Sequence, residues 1–479
     1  MSHDRYQTPL GERYASAPML TLFGPARRIG LWRRLWVALA EAERELGLAI
    51  PDDAIAAMKG ALDSIDFARA ADYESRFRHD VMAHVHTFGD AAPQARPFIH
   101  LGATSAYVTD NADLIILREA LGIVEARLGA VVRALRAFAA RYRALPTLAY
   151  THFQPAQLTT VGKRATLWIQ DLVADLGEVQ HRLGTLAFLG CKGTTGTQAS
   201  FLDLFGGDHD KVRQLDRLVA QKMGFDRVVP VSGQTYPRKT DAQVLSALAG
   251  VAHSAAKLAA DLRLLQHLGE VLEPFGSEQI GSSAMAYKRN PMRAERVASL
   301  ARYVMHLPAN TDETAAQQWF ERTLDDSANR RIVLPEAFLA VDAILILLAN
   351  VAAGLEVRER VVRRRVASEL PFMATERCLM LGVTAGGDRQ ALHEVIRRHS
   401  LEVARAIAED GAANDLLERL AADPAFRGAD VAGVARDLDP LHFVGRAPEQ
   451  VDEFLRDVVD PLLARLPPPS AAPPGEVRV

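Results

Sequence analysis

The segment 281–295 holds the densest set of groups that could do chemistry. It reads Gly-Ser-Ser-Ala-Met-Ala-Tyr-Lys-Arg-Asn-Pro-Met-Arg-Ala-Glu. Small residues let such a loop approach a ligand closely, a serine hydroxyl offers a potential base, and Lys288 offers a positive charge that stabilises an anion. A charge run such as Lys288, Arg289 and Arg293 usually marks a solvated surface. The glycine, the two serines and Asn290 interleaved with it favour a pocket instead.

Three histidines fall close together in the segment 78–86, so a metal site has to be considered. Histidine ligands on a helix normally sit four residues apart, whereas these lie five and two apart and have no cysteine nearby. The spacing therefore favours no metal, and we predict that His84 and His86 are hydrogen-bonded core or interface residues. His79 differs because Arg78 and Asp80 flank it and bias its charge and orientation.

His152 lies in a segment that ends where a long helix is predicted to begin, near Gln157. A histidine at such a junction could act as a general acid with a pKa near the working pH. The pattern alone leaves a purely structural role open.

Two segments could bind anions. Thr104 and Ser105 precede a predicted helix start at Asp110. Hydroxyls with free N–H groups there suit a carboxylate or phosphate, although such residues also cap ordinary helices. Further along, the segment 322–331 places Arg, Ser and Arg five and four residues apart, a layout able to grip a phosphate. Salt bridges to Asp325 and Asp326 are the alternative for those arginines.

The loop Lys192–Gln198 superficially resembles a phosphate-binding loop. Its lysine precedes the glycines instead of following them, so nucleotide triphosphate chemistry is not supported. A substrate-lining loop remains possible.

Bulk composition excludes several classes of protein. The 56 Lys and Arg against 59 Asp and Glu give a net charge of −3, which offers no overall attraction to nucleic acid or to an anionic membrane. Cys191 and Cys378 form no CxxC pair, which favours a reducing cytoplasm. The N-terminus lacks the pattern of a secretion signal. The apolar stretch Ala337 to Gly354 contains Asp342 and Asn350 and is short for a bilayer span, so we predict a buried core helix.

The elements that must position these groups are predicted to be long helices, and the fold class is mostly α. Apolar residues recur at three- and four-residue steps through four segments: Asp113 to Tyr142, Gln157 to Leu189, Thr240 to Val271, and Ala328 to Val357. Such helices pack as a bundle. Their apolar residues occupy more than one face, which favours oligomerisation. A short strand is possible at Val228–Ser232.

The predicted organisation has four parts. They are an N-terminal helical domain over 1–104, a central long-helix domain over 105–357, a C-terminal helical domain over 358–466, and a disordered proline-rich tail over 467–479.

Taken together, these segments resemble the fumarase and aspartase superfamily, whose signature is a Gly-Ser-Ser loop ending in Met-x-x-Lys-x-Asn, as in Gly281 to Asn290. The resemblance runs from about Arg13 to about Leu463 and is greatest to the branch that cleaves adenylosuccinate. It implies a homotetramer with a central bundle of long helices and with active sites shared between subunits. It also implies that neither a metal nor an organic cofactor is needed.

The resemblance further implies a role for each site residue. Ser282 would be the general base that removes the Cβ proton of the succinyl group, His152 the general acid that protonates the leaving nitrogen, and His79 an assisting group. The remaining substrate contacts would be Lys288 and Asn290 to fumarate; Thr104, Ser105 and Gln234 to succinyl carboxylates; Arg13, Tyr14, Arg296, Arg322, Ser327 and Arg331 to the nucleotide and its phosphate; and Arg78 and Asp80 beside His79.

The function implied is β-elimination of fumarate from adenylosuccinate, giving AMP, and from the succinylated aminoimidazole carboxamide ribotide. One alternative is a sister lyase such as argininosuccinate lyase, whose substrate lacks the phosphate that Arg322 and Arg331 would bind. Another is a noncatalytic scaffold protein, which would not need both Ser282 and His152. A metal hydrolase that uses the histidine cluster is the third.

The signature loop departs from the family pattern at Ala286, where these enzymes usually carry proline. An alanine gives the open loop more conformational freedom, so closing the loop should cost more entropy. We expect an effect on rate or affinity and none on reaction type.

Overall fold

The computed structural model describes residues 4–466, and these are mostly helical. The predicted tail at 467–479 lies outside the described residues. The first part of the chain forms α1 (Ala17–Leu22), α2 (Pro25–Glu45), α3 (Asp52–Gly60), α4 (Phe67–Phe77) and α5 (Asp80–Ala91), preceded by a π-helical turn at Leu10–Tyr14.

The middle of the chain contains the long helices. Its elements are α6 (Ser105–Arg141), β1 (Pro146–Thr151), β2 (Gln154–Thr160), α7 (Val161–Thr185), α8 (Ala199–Leu204), α9 (His209–Lys222), α10 (Lys239–His267), β3 (Val271–Leu272), α11 (Met292–Met305), α12 (Pro308–Gln317), α13 (Asp326–Ala353) and β4 (Glu356–Val357).

The last part consists of shorter helices. They are α14 (Glu359–Met373), α15 (Thr375–Thr384), α16 (Arg389–Asp410), α17 (Leu416–Ala422), α18 (Val431–Arg436), α19 (Ala447–Phe454) and α20 (Asp460–Arg465).

The four predicted long helices are present as α6, α7, α10 and α13, with 37, 25, 29 and 28 residues. The helix α6 packs against α7 and α13, and α10 packs against α7, α11 and α13. Apolar side chains recur along α6 at helical spacing and are fully buried at Val124, Leu128 and Leu135. The mostly helical fold and the bundle of long helices are therefore confirmed.

One predicted helix start is wrong. We expected α6 to begin near Asp110, but it begins at Ser105, so Asp110 and Asn111 lie inside its first two turns. Both side chains are buried. Their burial is tolerated because each has partners inside the protein: Asp110 binds Arg238, and Asn111 hydrogen-bonds to the backbone of Gly190. A sequence alone does not distinguish a polar residue that caps a helix from a polar residue that is buried with hydrogen-bond partners.

A second prediction is wrong at the start of α7. The segment from Gln157 was expected to be helical, but Gln154–Thr160 is strand β2, which pairs with β1 in an antiparallel hairpin. Thr160 then caps α7 by accepting the N–H of Lys163 at 3.1 Å. The predicted strand at Val228–Ser232 is also absent, and Val228 makes only an isolated bridge to Phe188.

The described residues contain three hydrophobic clusters. The largest joins the N-terminal helices, the four long helices and the apolar residues of α19 and α20. A second lies within 374–434, and a third packs the hairpin against α14 around Leu148, Leu158 and Val366. Because the largest cluster runs across residue 104, the N-terminal and central helices share one core. The domain boundaries stay a prediction.

The helix α13 is long and apolar enough to cross a membrane by length and composition, but 78% of its most apolar 18-residue window is buried inside the protein. Asp342 on this helix is fully buried, accepts the N–H of Ser16 at 2.8 Å and pairs with Arg127. The expectation of a buried core helix is confirmed.

Glu43 on α2 is a carboxyl group buried in the core. Its side chain is fully buried, and neither oxygen has a hydrogen-bond partner among residues 4–466. Burial raises the pKa of Glu43 from 4.5 to about 9. The folded protein therefore holds a proton that the unfolded chain has released, and stability falls as pH rises between these two values, by up to about 1.4 kcal/mol per pH unit.

We predict that Glu43→Gln removes this penalty, because the amide is neutral at every pH. The melting temperature of the variant relative to wild type should rise steadily between pH 6 and pH 8 in scanning calorimetry. Glu41→Gln is the matched control, since Glu41 lies on the same helix and is paired with Lys59 and Lys222. Parallel melting curves for wild type and Glu43→Gln across this range would contradict the assignment.

Candidate active site

The N-termini of α5 and α6 meet at one place. His79 is the N-cap of α5, and its Nδ1 accepts the N–H of Met82 at 3.3 Å. In the neutral ring the proton then lies on Nε2, which faces the hydroxyl of Ser105 at 3.4 Å. Ser105 is the first residue of α6, and the N-cap residue Thr104 makes no side-chain capping bond. The corner therefore offers helix dipoles and hydroxyl groups to an anion.

An ion pair brings the start of α13 to the same corner. Asp80, the first residue of α5, accepts a hydrogen bond from Arg331 Nη2 at 2.8 Å. The Arg331 side chain is still 57% exposed, so its other donors face solvent. Arg78, next to His79, has a left-handed backbone with φ of 54° and ends α4. Hydrogen bonds thus join His79 to Ser105 and Asp80 to Arg331 at this corner, and Arg78 and Thr104 are their neighbours in the chain.

Arg322 lies four residues before α13, and Ser327 is the second residue of that helix. Arg322 Nη1 contacts both oxygens of Asp326, at 2.9 and 3.1 Å. The salt bridge considered from the sequence is therefore present for Arg322, whereas Arg331 pairs with Asp80 and with neither neighbouring aspartate. Ser327 lies in the first turn of α13, and its side chain is half-buried.

Gln234 connects the segment before α13 to the glycine-rich loop. Its backbone N–H donates to the carbonyl of Glu321 at 2.9 Å, and its side-chain amide donates to the carbonyl of Thr194 at 3.0 Å. Lys192 in that loop is buried in an ion pair with Asp216 at 2.6 Å. The lysine therefore anchors the loop and does not face a ligand.

The signature loop is held by its own polar groups. Ser282 Oγ accepts the N–H of Met285 at 3.1 Å, and Asn290 Nδ2 donates to the carbonyl of Gly281 at 2.7 Å. A side chain at Gly281 would collide with the carbonyl of Lys288, which explains the glycine. The Lys288 side chain is exposed and makes no ion pair with a residue in 4–466. The apolar residues Ile280, Met285 and Tyr287 are 76%, 51% and 84% exposed.

Arg13, Tyr14 and Arg296 form a further group. Arg13 and Tyr14 end the π-helical turn at Leu10–Tyr14. The guanidinium of Arg296 lies 5.8 Å from the centre of the Tyr14 ring, within the range of a cation–π contact. Arg296 Nη1 is buried and has no hydrogen-bond partner within the described range. An aromatic ring beside a cation suits a nucleotide base.

His152 does not lie where the sequence predicted. It occupies the two-residue turn of the β1–β2 hairpin together with Phe153, and φ is positive at both, 52° and 59°. Hairpin turns of this type normally use Asn or Gly, so His-Phe is a strained choice of the kind found at functional sites. The turn is exposed, and within 4–466 no hydrogen bond or ion pair joins His152 to Ser282 or His79.

The sequence reasoning missed one group, a buried cluster centred on Arg238. Arg238 bonds Asp110 at 2.9 and 3.2 Å and Asp326 at 2.7 Å, and all three are nearly inaccessible to solvent. In the sequence this cluster is visible only as single charged residues near the ends of apolar helices. A single sequence does not show which charges pair.

The histidine cluster is not arranged around a metal. His84 is buried between the rings of Trp32 and Phe67, and burial lowers its pKa. His86 packs on Tyr73 and Phe77. No group of three or more His, Cys, Asp or Glu in residues 4–466 is placed to share an ion.

The chain is similar to known proteins over most of its length. The chain matches the family model described as "Lyase" over residues 37–306 and the model "Adenylosuccinate lyase C-terminus" over residues 371–454. It is 53% identical to adenylosuccinate lyase of Schizosaccharomyces pombe, covering 96% of each chain. It is 52% identical to that of Saccharomyces cerevisiae, covering 96% of this chain and 95% of the yeast chain.

A solved structure extends the similarity to the fold. Fumarate lyase from Mesorhizobium superposes with a TM-score of 0.80 at 25% identity, covering 93% of this chain and 99% of that one. Because relatives more than 50% identical cover 96% of the chain and two family models match it, the protein belongs to the adenylosuccinate lyase family of the fumarase/aspartase superfamily.

Proposed function

We propose that this lyase cleaves adenylosuccinate to AMP and fumarate, and the succinylated aminoimidazole carboxamide ribotide to its carboxamide and fumarate, by β-elimination. Ser282 removes the Cβ proton of the succinyl group. The electrons of that C–H bond form the carbon–carbon double bond of fumarate as the C–N bond breaks, and His152 gives a proton to the leaving nitrogen. The observation that carries the proposal is the meeting of α5, α6 and α13 at a corner with hydroxyls and cations, in a chain of this family.

The electrostatics support these roles. Removing a proton beside a carboxylate builds a doubly negative intermediate, which only preorganised cations and N–H dipoles stabilise. Thr104, Ser105 and Gln234 contact the succinyl carboxylates, and Lys288 and Asn290 hold the departing fumarate. His79, oriented by the α5 backbone and flanked by Arg78 and Asp80, donates from Nε2 toward the same anion. The nucleotide and phosphate contacts are Arg13, Tyr14, Arg296, Arg322, Ser327 and Arg331.

The signature loop closes over the substrate in this proposal. A serine is a poor base in water, so Ser282 needs a dry site with fixed positive groups. The exposed Ile280, Met285 and Tyr287 are the apolar surface that closure would bury. The chemistry needs no metal and no organic cofactor.

We further propose a homotetramer with shared active sites. The long helices expose apolar side chains, among them Leu167 at 51%, Leu264 at 42% and Ile332 at 60%. In this proposal a neighbouring subunit covers these side chains. His152 has no orienting partner within the described chain, although a general acid needs one. A neighbouring subunit would supply the groups that complete each site.

The setting proposed for this enzyme is the cytoplasm. The two cysteines are free and buried, which suits a reducing compartment. The partners are small succinyl-purine nucleotides, without nucleic acid or membrane.

The first test is Ser282→Ala. We expect AMP and fumarate release to fall by roughly a thousandfold, because the base is lost while the loop keeps its small residues. AMP and fumarate are assayed together without added metal, and wild type should release them in equal amounts. The fold and oligomeric state of the variant are checked by circular dichroism and light scattering. Ser283→Ala removes the same hydroxyl one residue later and should lose far less activity. Near-normal turnover by Ser282→Ala would rule out Ser282 as the base.

The second test addresses shared sites. His152→Ala and Ser282→Ala should each be inactive alone, yet hybrid tetramers formed by co-expression should recover about one quarter of wild-type activity by random assortment, since some sites receive both native groups from different subunits. Co-expression of His152→Ala with a differently tagged His152→Ala is the control. Recovery of nothing, with hybrid tetramers present, would place both residues of a site on one subunit.

The third test concerns Ala286. Lys288 N–H donates to the Met285 carbonyl at 3.0 Å, which makes Ala286 the second residue of a four-residue turn, where proline is favoured. Ala286→Pro should raise kcat/KM about two- to fivefold by stiffening the open loop. Ala284→Pro, two residues earlier and outside the turn, is the control. A lower kcat/KM for Ala286→Pro would show that the turn needs the freedom of alanine.

A further inference from the structure

The buried cluster around Arg238 joins three segments that carry the proposed substrate contacts. Asp110 lies on α6, five residues after Ser105, and Arg238 follows Gln234 by four residues. Asp326 opens α13, between Arg322 on one side and Ser327 and Arg331 on the other. The three segments are therefore held together by one buried cluster, and each continues from it to the residues proposed to contact the substrate.

The anchor is a chain of charge-assisted hydrogen bonds. Arg238 uses Nη1 and Nη2 on Asp110 and Nε on Asp326, and the guanidinium lies 4.6 Å from the Tyr236 ring. Asp110 also accepts the N–H of Tyr236 at 3.0 Å, which fixes the backbone two residues after Gln234. Such bonds are directional, so they set orientation as well as distance.

Asp326 is the link between this anchor and the surface. Its carboxylate is 1% exposed, whereas the side chain of Arg322 is 26% exposed. Only Nη1 of Arg322 is engaged, at 2.9 and 3.1 Å from the two carboxylate oxygens. Nε and Nη2 have no hydrogen bond to any residue in 4–466, so they remain for a ligand.

The Asp326 side chain is a carboxylate that can accept hydrogen bonds from Arg322. Burial alone would raise its pKa, but the charges of Arg238 and Arg322 outweigh burial and hold the pKa below the ordinary value. The carboxylate therefore stays ionised at neutral pH.

We propose that Asp326, held by Arg238, is a positioning residue that presents the free Nε and Nη2 donors of Arg322 to the phosphate of the nucleotide. Asp326 does not touch the substrate and acts through Arg322. This inference rests on the proposed function, because it takes the phosphate of AMP as the ligand of Arg322.

The experiment measures AMP binding by titration calorimetry, which needs no turnover. Asp326→Asn should weaken AMP binding about tenfold, because the neutral amide no longer fixes Arg322. In turnover, KM for adenylosuccinate should rise by a similar factor with kcat changed less than threefold, and inhibition by fumarate should be unaffected. Arg322→Ala should weaken AMP binding at least as much, and the double variant Arg322→Ala with Asp326→Asn should lose no more than Arg322→Ala alone.

Asp342→Asn is the matched control. Asp342 lies on the same helix, is equally buried and is also paired with an arginine, so this variant measures the cost of removing a buried charge away from the site. We expect both asparagine variants to melt at lower temperature, and only Asp326→Asn to bind AMP more weakly. If Asp326→Asn does not fold, Asp326→Glu, which keeps the charge but displaces it by one methylene, should weaken AMP binding two- to fivefold.

The outcomes separate the two proposals. Wild-type protein that releases no fumarate from adenylosuccinate would overturn the proposed function. Turnover by wild type, with normal AMP affinity in Asp326→Asn or Asp326→Glu, would overturn the positioning role alone. Normal AMP affinity in Arg322→Ala, or equal weakening in Asp342→Asn, would overturn it as well.

Discussion

Arg238 binds two buried carboxylates from helices that are far apart in the sequence, and the relative position of the N-termini of α6 and α13 depends on this interaction. A guanidinium taken out of water is costly unless its donors are satisfied, and Asp110 and Asp326 satisfy three of them. Removing one partner would leave a buried charge unpaired. The cluster therefore fixes where α6 and α13 begin relative to each other.

A similar cluster lies one helical turn further along. Arg330 pairs with Asp241 at 2.7 Å and with Asp113 at 3.0 Å, and it donates to the hydroxyl of Tyr236. Tyr236 thus lies between two guanidinium groups, 4.6 Å from Arg238 and 5.3 Å from Arg330. Buried polar networks of this kind specify one arrangement of helices, because an alternative packing would leave charges without partners. The apolar bundle supplies stability, and the ion pairs fix the register.

The other half of the proposed site is open in the single chain. The hairpin turn with His152 and the loop with Ser282 are both exposed, and within residues 4–466 no hydrogen bond or ion pair joins His152 or Ser282 to the corner formed by α5 and α6. The base of the hairpin is nevertheless anchored in the core, because Leu148 and Leu158 pack against α14. A rigid hairpin with a strained, exposed histidine at its tip suits a site that is completed by another surface.

The sequence by itself determined the long helices and the signature loop, because helical periodicity and local spacing are properties of neighbouring residues. It did not determine the β1–β2 hairpin, since a two-residue turn of His-Phe carries none of the usual Asn or Gly signals. It placed the start of α6 at Asp110 because a polar residue before an apolar run resembles a cap. Only the tertiary structure decided that Asp110 pairs with Arg238, which lies 128 residues away, because the partner of a buried charge is chosen by the packing of whole helices.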